Sequence, residues 1–194
     1  MRAFKNIIFA IVSLGISQFL CYFFVDDVFV NFATAEQPFH CLRLFIAIII
    51  YTSINWTAKN SIKTIEKDIL FFSYVLLAVS LSIFRMKLNF AEPMNFNVLD
   101  MVTYSKTTII LNILFYIPFG YYAKSRIRLK PIYTFAIFLA YIISIELLQH
   151  YLKVGFFDIN DIMCNTFGFV VGFVSKKVLE NLLCSRKGFA EKIT

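Results

Sequence analysis

Charge is scarce in this chain. Only 16% of its 194 residues are Asp, Glu, Lys or Arg, and 59% are hydrophobic. A soluble domain carries about 25% charged and about 45–50% apolar residues. That balance excludes a water-soluble fold and points to an integral membrane protein. Cysteine is sparse too. Cys21, Cys41, Cys164 and Cys184 form no CxxC pair and no metal-ligand spacing. Inside apolar runs such residues act as small hydrophobes. A Cys41–Cys164 disulfide stays open, because both positions fall near the outer ends of their segments. With two His in the chain, no Ser-His, Cys-His or His-rich zinc pattern arises. No internal repeat is visible. No matched pair of broken helices occurs in the two halves, which argues against an inverted-repeat transporter.

What the chain has is long apolar runs. Six segments come close to membrane-spanning length: 7–25, 43–57, 69–86, 107–123, 132–152 and 159–175. The first has 19 residues, longer than the about 7–15 of a cleavable signal core, and no A-x-A site follows it. It reads as an uncleaved span. The second is the shortest and opens on Arg43. The 24 Phe and 10 Tyr suit lipid-facing and interfacial positions. The fold expected is all-α, a polytopic membrane protein of about six transmembrane helices.

The net charge of +7 is topogenic rather than a nucleic-acid signal, since the positives cluster between apolar runs. With both termini cytoplasmic, the inner side holds Arg2, Lys5, Lys59, Lys63, Lys67, Lys124, Arg126, Arg128, Lys130, Lys176, Lys177, Arg186, Lys187 and Lys192. The outer side keeps Arg43, Arg85, Lys87, Lys106 and Lys153, together with most of the acids. Every loop then obeys the positive-inside rule. The loop 87–106 is semi-apolar and suits the outer interface. The tail 176–194 reads either as a basic amphipathic helix on the inner leaflet or as a frayed charged end.

Polar side chains are costly in hydrocarbon and therefore mark functional candidates. Glu146 and Gln149 sit in the fifth segment; Asp158, Asp161 and Asn165 open the sixth. At helical spacing Glu146 stacks with Gln149, and Asp158 and Asp161 stack with Asn165. The second stripe continues to Gly168 and Gly172, a small-xxx-small pattern that permits close helix approach. The fourth segment adds Asn112, Pro118 and Gly120. Pro118 removes a backbone donor and predicts a kink. Counted from the segment ends at ~1.5 Å per residue, Asn112, Glu146 and Asn165 share a layer ~8–9 Å below the outer boundary. The expectation is an outward-open polar pocket, with Gln149, Asp158 and Asp161 nearer water. Asp158 also suits the N-cap of the last helix. Arg43 is a candidate counter-ion for the acids.

Three patterns in this order resemble the VanZ-like family of bacterial membrane proteins. They are Asn112-x-x-x-Phe-x-Pro-x-Gly120, Ser144-x-Glu146-x-x-Gln149, and Phe157-Asp158-x-x-Asp161-x-x-x-Asn165-x-x-Gly168. The family commonly has an Arg before the Phe-Asp pair, where this chain has Gly155-Phe156. The resemblance covers 105–175, which divides the chain into N-terminal helices without a signature (1–104), a VanZ-like core (105–175) and a basic cytoplasmic tail (176–194). It implies the bacterial cell envelope and an association with teicoplanin resistance, but no molecular activity. Three readings stay open. The polar layer engages an amphiphile, a cell-wall precursor lipid or a lipoglycopeptide. Alternatively Asp158, Asp161 and Glu146 hold a divalent cation for a membrane enzyme acting on a lipid-linked phosphate. Or the polar residues only join helices. No other cofactor is evident, and the one certain partner is the lipid bilayer.

Overall fold

The computed structural model describes residues 2–30, 35–59, 61–84, 94–98, 100 and 105–190. The loop 87–106, apart from its few described residues, and the last two residues of the third expected span lie outside the described residues, as do Arg85, Lys87 and Lys192. The helices are α1 (Arg2–Leu20), α2 (Asp26–Phe29), α3 (Glu36–Lys59), α4 (Thr64–Ile83), α5 (Lys106–Arg126), α6 (Pro131–Leu152) and α7 (Ile159–Ala190). A π-helical turn, Cys21–Val25, joins α1 to α2. Among the described residues no strand forms; a single parallel bridge pairs Asn95 with Asp158. The chain is all-helical. Among the described residues, four stretches are long and apolar enough to cross a bilayer: Phe4–Phe29, Glu36–Ala58, Pro131–Leu152 and Ile159–Leu182. The other two expected spans fall on α4 and α5, of 20 and 21 residues.

α3 and α7 run furthest beyond their expected bounds. α3 begins at Glu36, seven residues before Arg43. Glu36 favours a helix N-terminus electrostatically, and Pro38 is tolerated in a first turn. α7 continues to Ala190, so the start of the tail is helical in direct extension of the span.

The chain divides into two units. The first is Met1–Phe90 with Tyr151–Gly155. In it, α1 packs on α3 through a stripe of small side chains, Ser13, Ser17 and Cys21, each at most 1% exposed. Their spacing of four keeps them on one face. Ser13 Oγ satisfies itself on the carbonyl of Phe9 at 2.7 Å, and Ser17 Oγ donates to the carbonyl of Arg43 across the interface. α3 turns into α4 through Asn55, which is fully buried and donates to Glu66 Oε1 at 3.3 Å. Glu66 Oε2 accepts the N–H of Lys63 at 2.9 Å, closing the first turn of α4. A buried carboxylate is tolerated here because both of its oxygens have donors.

The second unit is Ala91–His150 with Phe156–Thr194. Here α5 and α7 run parallel and interlock at the backbone. A Cβ on Gly168 would meet the Ile113 carbonyl, one on Gly172 the Ile117 carbonyl, and one on Gly120 the Phe169 carbonyl. Each would stand far inside van der Waals contact, so only glycine permits this approach. Pro118 is exposed on the other side of α5, and the helix continues through it to Arg126. α6 is held differently, by large rings. Phe138 stacks on Phe169 with centroids 4.2 Å apart, Phe119 stacks on Tyr141 at 5.6 Å, and Tyr116 meets Phe138 edge-on at 5.7 Å. The buried stripe of α6 is Thr134, Phe138, Ile142, Ile145, Glu146 and Gln149. Its apolar part faces these rings, and its polar part lies at the C-terminal end of the helix.

Candidate functional site

The three-helix unit collects the sequence candidates at one end. α5 and α7 are parallel, so their N-termini coincide; α6 is antiparallel and brings its C-terminus there. Phe138 is level with Phe169. Advancing equally along α6 and back along α7 sets Glu146 level with Asp161 and Gln149 level with Asp158. Asn112, near the start of α5, donates from Nδ2 to Asp161 Oδ1 at 2.7 Å. That bond links α5 to α7 just above the glycine interlock. Asn165, one turn further along the Asp161 face, is 4% exposed, and its Oδ1 has no partner among the described residues. Glu146 is 3% and Gln149 8% exposed.

Asp158 caps α7. Its Oδ1 accepts the backbone N–H of Asn160 at 2.8 Å and the Asn160 amide at 3.0 Å; its Oδ2 accepts Asn95 Nδ2 at 3.2 Å. An acid at this position satisfies an orphan N–H and complements the helix dipole. Asp158 and Asn160 are fully buried.

Sequence reasoning missed the partners that hold this cap. Asn95 donates its N–H to Phe157 O at 2.8 Å, and its own carbonyl accepts from Ile159 N at 3.0 Å. Asn160 Nδ2 reaches Asn97 O at 2.9 Å. Asn97 N–H donates back to Asn95 Oδ1 at 2.9 Å, and Asp100 accepts from both asparagine side chains. The Asn-x-Asn-x-x-Asp run is turn chemistry, in which short polar side chains bond their own backbone. That was the available signal. The docking on α7, 63 residues away, left no local trace.

Two other expectations change. Arg43 pairs with Asp26 inside the first unit rather than with the acids of α6 and α7. Cys41 and Cys164 are free thiols. Among the described residues, no three His, Cys, Asp or Glu side chains gather closely enough to hold a metal ion. Asp158, Asp161 and Glu146 share one end of the unit without forming such a cluster. The two described cavities are apolar furrows along the helices. The larger, ≈ 580 Å³, is lined by Ile109 and Ile113 of α5, Leu139 of α6, and Met163 and Phe167 of α7. The polar residues do not line it; they pack between helices.

A family model described as VanZ/LLP1 matches residues 39–180. The chain belongs to the VanZ-like family. The match contains the polar end and the glycine interlock entirely, and it reaches back into α3. No curated protein and no solved structure matches the chain. In this VanZ-like protein the residues that carry the resemblance do two structural jobs that can be named. Gly120 and Gly168, together with Gly172 outside the family patterns, set the α5–α7 distance. Asn112, Asp158 and Asp161 tie the helix ends together. Glu146, Gln149 and Asn165 are polar, buried and level with those ties.

Proposed function

We propose that this VanZ-type membrane protein resides in the bacterial cytoplasmic membrane, with all six long helices crossing and both termini cytoplasmic. In this reading the polar end of α5, α6 and α7 faces outward and engages an amphiphile, a lipid-linked cell-wall precursor or a lipoglycopeptide such as teicoplanin. The observation that supports it is the convergence of six polar side chains from three helices at one end of the second unit, with Glu146 and Asn165 held out of water. Polar groups in such surroundings interact with a headgroup more strongly than the same groups in water. Family membership supplies the link to glycopeptide susceptibility.

The second reading, a purely structural one, is favoured for Asp158 by its occupied oxygens. One experiment separates the two. Teicoplanin susceptibility is measured in cells with and without the protein, beside Glu146→Gln at matched membrane abundance. Protection by wild type and none by the variant supports engagement. Equal protection by both makes Glu146 structural, and lower abundance of the variant favours the structural reading. No protection by either detaches this chain from glycopeptide resistance.

A further inference from the structure

The first unit holds a polar cluster of its own, outside the site described above. Arg43 Nη2 pairs with Asp26 Oδ2. Their side chains are 23% and 20% exposed. The π-helical turn makes this pairing feasible. Asp26 follows Cys21 by five residues, and in a regular α-helix such positions diverge by about 140°. The wider turn brings Asp26 back toward the Ser17–Cys21 face that packs on α3. π-turns of this kind occur frequently at functional sites.

The pair is incomplete. Arg43 Nε and Asp26 Oδ1 are both buried, and neither has a hydrogen-bond partner among the described residues. One is a donor on a cation, the other an acceptor on an anion. Covalent geometry places them beside the bond already made. An anion alone would meet the Asp26 charge, and a cation alone the Arg43 charge. A neutral group that carries an acceptor anion and an N–H cation matches both. Depth agrees with this. Asp26 is three residues from the end of its span at Phe29, and Arg43 seven residues into the span that starts at Glu36. Arg side chains lean toward the helix N-terminus and reach for the interface. The cluster therefore lies at headgroup level.

We propose that Arg43 and Asp26 form a seat for an aminophospholipid headgroup, with phosphate on the Arg43 Nε side and the primary ammonium on Asp26 Oδ1. The seat belongs to the first unit and is independent of the function proposed for α5–α7.

The test uses the purified full chain in detergent, offered equal amounts of phosphatidylethanolamine, phosphatidylglycerol and phosphatidylcholine, with bound lipid read by native mass spectrometry. Phosphatidylglycerol has no ammonium, and phosphatidylcholine has no N–H to donate. One charge-assisted hydrogen bond predicts about a tenfold preference for the ethanolamine lipid. The double variant Asp26→Asn/Arg43→Gln removes both charges and leaves neither alone, so it avoids the penalty of an unpaired ion. It should level the three lipids. Equal binding by the wild type overturns the proposal and leaves a bridging water as the partner of both atoms. A preference that survives in the double variant overturns it as well. If the double variant fails to accumulate, the wild-type preference decides alone.

Discussion

The glycine interlock between α5 and α7 gives the sharpest prediction. In Gly172→Ala the new Cβ would fall on the carbonyl oxygen of Ile117, with Ile117 C and Tyr121 N each 2.9 Å away. Ordinary contact begins at 3.4 Å, so even these two atoms must retreat by about half an ångström, and the oxygen further. All three are main-chain atoms of a hydrogen-bonded helix, with no flexible tip to swing aside. Overpacking typically costs about 1–3 kcal/mol, and rigid backbone on both sides puts this site at about 3. For a chain of this size that lowers the melting temperature by about 6–12 °C. The assay is thermal unfolding of the full chain in detergent, followed by circular dichroism. Gly15→Ala is the internal control. Its Cβ would meet nothing within 4 Å, and exchanging a helical Gly for Ala stabilises by up to about 1 kcal/mol. Gly15→Ala should therefore melt at or above wild type. If Gly172→Ala melts with wild type, or if both variants fall equally, the interlock does not set the stability of this unit.

Other outcomes follow from the same geometry. Asp158→Ala removes a cap worth about 1 kcal/mol and takes one acceptor from each of the Asn95 and Asn160 amides, which keep Asp100 and the Asn97 carbonyl, so the loss should be about 1–3 kcal/mol in all; Asp158→Asn keeps a good cap and should lose less, as chemical denaturation would show. A double-mutant cycle on Asn112→Ala and Asp161→Ala should give a coupling of about 1.5–3 kcal/mol, as for a hydrogen bond to a charged group; a coupling near zero would mean that the bond does not hold α5 to α7. Glu66→Ala leaves the buried Asn55 amide and the Lys63 N–H without their acceptor and should cost about 1–3 kcal/mol, read as a lower unfolding midpoint.

Much of the helical fold was legible in the sequence because hydropathy runs are local signals. The six apolar runs all fall on helices. The layer drawn through Asn112, Glu146 and Asn165 placed three residues at the same end of the unit from residue counting alone, and Asp158 was readable as a cap. The glycine contacts of Gly168 and Gly172 were readable as a close approach, but their partner was not. Which helix meets them depends on α6 returning the chain so that α7 lies parallel to α5 and directly against it. The start of α3 was missed because the apolar run begins after Arg43, whereas Glu36 and Pro38 start the helix earlier. The π-turn has no sequence signature in Cys21–Val25, and it is what aims Asp26 at Arg43. The expected pairing of Arg43 with the distant acids overlooked this nearer carboxylate. The loop around Asn95 and Asn97 was visible only as semi-apolar sequence. Its role depends on a contact with α7 that no periodicity encodes.

The interlock also has a bearing on how the chain is made. Its contacts join Ile113 to Gly168, Ile117 to Gly172, and Gly120 to Phe169, and all of α6 lies between the two partners. When α5 leaves the ribosome, the helix it packs on has not yet been synthesised. Its Gly120 face stays without that partner until α7 arrives. A nascent chain halted before Ile159 has no surface to close on, and a halt a few turns later supplies both glycines at once. Closure of this unit therefore waits for its last helix rather than its first.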